Sequence, residues 1–98
     1  VYASKAEASY ARTLDLMKAA GEVSSWEGQV KVPLVVNGAN VCTMIPDFLV
    51  TYPGGHCEYH EYKGRPTPVW RLKLKLFTAL FPDAVYKIIW HSEVGHAA

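Results

Sequence analysis

The sequence predicts a small α/β domain with the element order α-β-β-β-α-β, and three observations carry that expectation. An amphipathic segment with helix-capping residues opens the chain. Runs of β-branched residues flank an Asn37-Gly38 turn signal, and a Thr67-Pro68 helix start precedes a last apolar strand. With 98 residues, the whole chain (1–98) is expected to form one domain, long enough for a real core and too short for two. Hydrophobic residues make up 50% and charged residues 19%, which excludes a disordered or low-complexity chain.

Ser4 to Ala20 reads as the first helix. Ser4 is a good N-cap, Glu7 completes the capping-box spacing, and Gly21 is placed to end the segment. Tyr10, Leu14 and Met17 recur on one face, and Glu7 lies on the same stripe, so an acid faces the core side. Gln29 to Val36 is expected to be the first strand and Val41 to Tyr52 the strand returning from the Asn37-Gly38 hairpin. Pro46 cannot donate to a ladder, which predicts an irregularity or bulge just before Asp47.

Pro53-Gly54-Gly55 turns the chain into a third, unusually polar strand over His56 to Lys63. The second helix starts at Thr67-Pro68. Trp70 to Leu76 alternates like a strand, yet Val69, Leu72, Leu76 and Leu80, joined by Phe77, fit one helical stripe, and the cap and length favour a helix. After Pro82, Val85 to Trp90 is the last strand. There is no internal repeat and no linker.

Ten Lys and Arg against nine Asp and Glu leave a net charge of +1, so any nucleic-acid binding must come from local segregation of charge. Cys42 and Cys57 are the only cysteines, and reduced thiols in a cytosolic protein are the expectation. No apolar stretch approaches the roughly 20 residues that cross a membrane, and the opening segment is charged rather than signal-like. A soluble, cytoplasmic protein is expected. The chain begins at Val1 rather than at a methionine, which leaves room for a preceding segment.

The chemistry is concentrated in a spaced set of acids that ends in a lysine: Glu7, Asp47 in Ile45-Pro46-Asp47-Phe48, and Glu61-Tyr62-Lys63-Gly64. Strand side chains alternate, so Glu61 and Lys63 share one face of a sheet and Tyr62 takes the other. If Asp47 stands on the neighbouring strand at the same level, two carboxylates and an ammonium converge where a divalent cation and an attacking water could be held. That arrangement suits phosphodiester hydrolysis. Asp47 and Glu61 would then bind the metal, while Lys63 orients or deprotonates the water or stabilises charge on the phosphate. Glu7 is explained equally by its capping-box position and by reach to the metal. The competing reading is a pair of exposed strand acids beside a surface lysine.

Arg65, Arg71, Lys73 and Lys75 follow the motif and could contact phosphates; the alternative is a solvated helix face. Gln29 and Thr67 are secondary polar candidates, with ordinary strand and N-cap roles beside them. Cys57 and His60, three residues apart on a strand, point to opposite faces, which argues against zinc. Trp26, Trp70 and Trp90 read as core or interface aromatics.

The chain resembles the PD-(D/E)xK nuclease superfamily, and within it small phage-encoded endonuclease-like proteins. The matching stretches are Ser4-Lys5-Ala6-Glu7-Ala8, Gly21-Glu22-Val23, Gln29-Val30-Lys31-Val32-Pro33-Leu34, Ile45-Pro46-Asp47-Phe48, Glu61-Tyr62-Lys63-Gly64, Thr67-Pro68-Val69 and the basic segment ending in Leu76-Phe77. They cover nearly the whole chain. The resemblance implies a restriction-endonuclease-like core, a mixed sheet flanked by helices, a Mg²⁺ or Mn²⁺ site and a DNA substrate. It departs from the pattern at His60, where similar proteins more usually carry another acid.

The expectation is therefore a metal-dependent DNA endonuclease, a structure-selective or resolvase-like deoxyribonuclease of DNA recombination. Its catalytic residues would be Asp47, Glu61, Lys63 and Glu7, and its place the cytoplasm of the host cell if a phage encodes it. A chain this small presents little surface to a duplex, so a homodimer fits cleavage of both strands. The competing classes are a non-catalytic DNA-binding or assembly module on the same fold and a structural protein whose acids are incidental.

Overall fold

A computed structural model describes residues 5–63 and 65–90. The first helix, α1 (Lys5–Ala19), buries Glu7, Ala11 and Leu14 on one face; its expected N-cap, Ser4, lies outside the described residues. It ends at Gly21, where φ is 81°. The Gly21 N–H donates to the Lys18 carbonyl at 3.1 Å and the Glu22 N–H to the Met17 carbonyl at 2.9 Å, the bond pair of a Schellman motif. Glycine enters that left-handed conformation without the Cβ penalty.

The remaining elements are β1 (Ser25–Gly28), β2 (Val32–Val36), β3 (Ala39–Met44), β4 (Phe48–Thr51), β5 (Cys57–Lys63), α2 (Pro68–Leu80) and β6 (Val85–Trp90). The order is thus α-β-β-β-β-β-α-β, which corrects the expected α-β-β-β-α-β. Two physical causes account for the difference. Ser25–Gly28 has only the half-buried Trp26 facing inward, so its strand character comes from pairing with β4 rather than from any apolar alternation. The expected single strand from Val41 to Tyr52 is two strands in different sheets, because the chain breaks its ladder around the buried Pro46. Gln29, expected to open the first strand, lies outside it with φ 55°. Asn37 and Gly38 both have positive φ, 50° and 81°, as the tight hairpin turn between β2 and β3 requires.

The main sheet is mixed, in the order β1-β4-β5-β6. β4 runs antiparallel to both β1 and β5, whereas β5 and β6 are parallel and joined through α2. α1 covers one face, where Leu14, Val23, Phe48 and Val50 form a buried cluster. Burial of a side chain such as Phe48 contributes about 1.5–3 kcal/mol. α2 and the β2–β3 hairpin cover the other face through Leu34, Met44 and Phe77.

α2 is capped as expected: Thr67 Oγ1 accepts the Trp70 N–H at 3.1 Å and Pro68 takes the first turn. Its buried stripe differs from the expected one. Phe77 is 1% exposed, but Val69 and Leu72 are 65% and 68% exposed. The helix seats on Tyr59 and Tyr86 through the Phe77 ring, at 5.4 and 5.2 Å, which turns Trp70 and Leu74 inward and Val69 and Leu72 outward. Among the described residues no helix is long and apolar enough to cross a membrane.

Candidate functional site

The β4–β5 ladder pairs Phe48 with His60 and Leu49 with Tyr59, so one further step sets Asp47 beside Glu61. Two main-chain bonds hold Asp47 there. Its carbonyl accepts the Gln29 N–H at 2.9 Å, and its carboxylate Oδ2 accepts the Tyr62 N–H at 2.8 Å. The side chain thereby extends the ladder past the end of β4, at the point where Pro46 has interrupted the chain.

Alternation along β5 puts Glu61 and Lys63 on the α2 face, and the Lys63 Nζ lies 3.4 Å from Glu61 Oε2. Glu61 is 6% exposed, so it is not a surface acid. Its other oxygen, Oε1, accepts a hydrogen bond from the Tyr86 hydroxyl on β6. The Tyr86 phenol is pushed well above its ordinary range, first by burial and then by its bond to Glu61. It is therefore a donor throughout the working range of pH. Lys63 also stands 4.8 Å from the centroid of the Trp70 ring, a cation–π contact that fixes the far side of the ammonium.

Glu7, in the first turn of α1, is 8% exposed. One turn later Tyr10 packs on Phe48 at 5.3 Å and Tyr62 at 5.2 Å, and that contact carries the start of α1 to the Asp47 end of the sheet. The electrostatics record the convergence. The Asp47 carboxyl is raised from 3.8 to about 6, chiefly by burial. The Tyr62 N–H works against the shift, the Glu7 and Glu61 carboxylates add to it, and Lys63 reduces it. Asp47, one residue before β4, thus lies within electrostatic reach of Glu7 on α1 and of Glu61 and Lys63 on β5. Among the described residues, no group of three or more His, Cys, Asp or Glu side chains is already arranged to hold a metal ion.

His60 faces the opposite side of β5, towards α1, and is 2% exposed. Burial lowers its pKa, with Glu58 opposing the shift, so the ring is neutral at pH 7. The Tyr10 hydroxyl lies 2.6 Å from Nδ1 and Glu58 Oε1 lies 2.9 Å from Nε2. Tyr10, its phenol raised by burial, donates to Nδ1, and the Nε2–H donates to Glu58. Tyr52 completes the chain by donating to the same Glu58 oxygen at 3.1 Å. Cys57, exposed, and Cys42, half-buried, are both free thiols.

The four candidate DNA-contacting cations do not form one face. Arg71 and Lys75, one helical turn apart and exposed, flank Trp70 and Trp90 on the β6 side of α2. Lys73 points the other way and donates to the Thr43 carbonyl at 3.3 Å. Arg65 is exposed ahead of α2. Thr67 serves as the N-cap. Sequence reasoning missed Tyr86 and the contact of Lys63 with Trp70, since neither the register of β6 beside β5 nor the seating of α2 on the sheet leaves a local signal.

A family profile described as "Protein of unknown function (DUF1064)" matches residues 1–94. The chain belongs to the DUF1064 family. No curated protein and no solved structure matches it. In this DUF1064 chain the matched span contains every acid, lysine and tyrosine of the region just described.

Proposed function

We propose that this chain is a Mg²⁺- or Mn²⁺-dependent deoxyribonuclease that hydrolyses phosphodiester bonds, with Asp47, Glu61 and Glu7 as the acids that hold the metal and Lys63 as the catalytic lysine. The observation that carries the reading is Asp47 set beside Glu61 and its partner Lys63, with the Asp47 carboxyl raised to about 6 partly by the charges of Glu7 and Glu61. Carboxylates that oppose one another's ionisation in a partly buried place are relieved by a divalent cation. The donor set is all hard oxygen, which fits Mg²⁺ or Mn²⁺ rather than a metal preferring sulfur or imidazole. The resemblance of the Asp47 and Glu61-Tyr62-Lys63 stretches to PD-(D/E)xK nucleases supports the same reading.

When bound, such an ion supplies Lewis-acid stabilisation of the phosphodiester and of the attacking water. The chain's own residues do the rest. Tyr86 and Lys63 fix the Glu61 carboxylate from both oxygens, and the Tyr62 N–H fixes Asp47. Lys63, between Glu61 and Trp70, presents a positive charge that can take up the negative charge growing on the phosphate oxygens or steady the water that attacks.

The test is incubation of the purified chain with duplex, flapped and four-way DNA in Mg²⁺, Mn²⁺ or a chelator. Metal-dependent cutting is expected, and Lys63→Ala should lower the rate by about 100-fold or more while leaving the metal-induced rise in Tm intact. Wild-type rates in that variant would remove the lysine from the mechanism. Binding of DNA without cutting would instead place the chain among non-catalytic DNA-binding or assembly modules.

A further inference from the structure

A groove of about 300 Å³ opens between α2 and β6, lined by Trp70, Arg71, Leu74, Lys75, Ile88 and Trp90. It lies next to Glu61, which pairs with the groove residue Ile88 in the β5–β6 register. Lys63 pairs with Trp90 in the β5–β6 register, and its ammonium lies between Glu61 and the Trp70 ring. The two indoles meet edge to face with centroids 6.5 Å apart and an interplanar angle of 77°. Leu74 and Ile88 add apolar surface, and the exposed Arg71 and Lys75 stand one turn apart along α2.

An aromatic, apolar floor with two cations on its rim is complementary to a molecule that has a flat apolar face and a fixed negative charge. A nucleotide has both. In a duplex each base already stacks on its neighbours and cannot offer its face to an indole, whereas an unpaired base can. We infer that this groove is a subsite for an unpaired DNA nucleotide next to the cleaved phosphate, with its base against Trp70 and Trp90 and its phosphate on Arg71 and Lys75. The inference rests on the nuclease reading for its polymer. It adds that the preferred substrate carries a single-stranded flank, such as a flap, an overhang or a bubble.

The experiment measures binding of a fluorescein-labelled twelve-residue oligothymidylate and of a blunt duplex of the same length, in chelator, by anisotropy. The single strand should bind about tenfold more tightly or better, and it should quench the tryptophan emission. Trp90→Leu keeps apolar bulk but removes the ring, and should weaken single-strand binding by about 5- to 100-fold while duplex binding changes little. Trp90→Phe should restore most of the loss. Should Trp90→Leu fail to fold, the double variant Arg71→Ala, Lys75→Ala at exposed positions should weaken single-strand binding and reduce its salt slope by about 0.7 per lost contact.

Equal affinity for the two DNAs, or unchanged single-strand binding in these variants, overturns the subsite. So does a switch from dimer to monomer in Trp90→Leu, by sedimentation, with unchanged affinity, since the groove would then seat a second copy. Cutting of duplex in Mn²⁺, assayed in parallel, separates the two readings. If duplex is cut without preference for a single-stranded flank, the nuclease reading stands and the groove falls. Single-strand binding through Trp90 without any cleavage leaves the groove and removes the nuclease.

Discussion

Asp47 carries its charge at a cost, because burial and the Glu7 and Glu61 carboxylates oppose it more strongly than the Tyr62 N–H and Lys63 favour it. A carboxyl whose folded pKa lies above its unfolded value lowers stability once it ionises: the penalty is absent below about 3.8, grows as pH rises, and is complete above about 6. Asp47→Asn keeps an oxygen to accept the Tyr62 N–H and removes that penalty. In chelator it should stabilise the chain at pH 8 by about 1 kcal/mol, after solvent screening is allowed for. That is a Tm gain of about 4–8 °C, shrinking to nothing near pH 4. A gain that does not depend on pH would show that ionisation is not its cause. Tyr86→Phe tests the other acid: it strips a donor from the buried Glu61 and should cost about 1.5–3 kcal/mol in urea unfolding. A loss below about 0.5 kcal/mol would mean that Lys63 alone satisfies Glu61.

At the scale of the element, α2 shows how tertiary packing chooses among stripes that a sequence leaves equivalent. Trp70 to Leu80 is apolar at so many positions that two overlapping faces are available. The Tyr59 and Tyr86 rings on the sheet select the one centred on Phe77. Phe77→Ala should therefore destabilise the chain by about 3–5 kcal/mol, enough to unfold a marginal domain. Leu72→Ala should stay within about 0.5 kcal/mol of wild type. Chemical denaturation of both variants compares them directly, and similar losses would contradict this seating of the helix. The break around Pro46 is the corresponding event in the strands, since it moves the chain from the hairpin to the main sheet and delivers Asp47 to the start of β4.

At the scale of the whole molecule, the sheet holds apart two kinds of polar chemistry. The Tyr10, His60, Glu58 and Tyr52 chain lies on the α1 face, linked by three hydrogen bonds. Glu61 and Lys63 lie on the α2 face beside Trp70 and the α2–β6 groove. Asp47, one residue before β4, stands beside Glu61 at one end of the sheet and feels the charges of both Glu61 and Glu7 of α1. A cation bound among them should stabilise the folded state by about 2.7 kcal/mol at one hundred times its dissociation constant. Millimolar Mn²⁺ should raise the Tm of wild type and leave that of Asp47→Asn unmoved. An equal shift in both would place the metal elsewhere.

The alternation of β5, the end of α1 at Gly21, the Asn37-Gly38 turn and the Thr67 cap were legible in the sequence because each depends on residues within a few positions of one another. So was the spacing of Asp47 and Glu61-Tyr62-Lys63, since period-two geometry already places the acid and the lysine on one face. The existence of β1, the division of β3 from β4, the seating of α2, and the company of Tyr86, Trp70 and Trp90 around Glu61 and Lys63 were not legible. Each of these depends on which strand lies beside which and in what register. That is fixed by burial of Phe48, Val50 and Phe77 between layers, and the free energy of such packing is a property of surfaces brought together from distant parts of the chain.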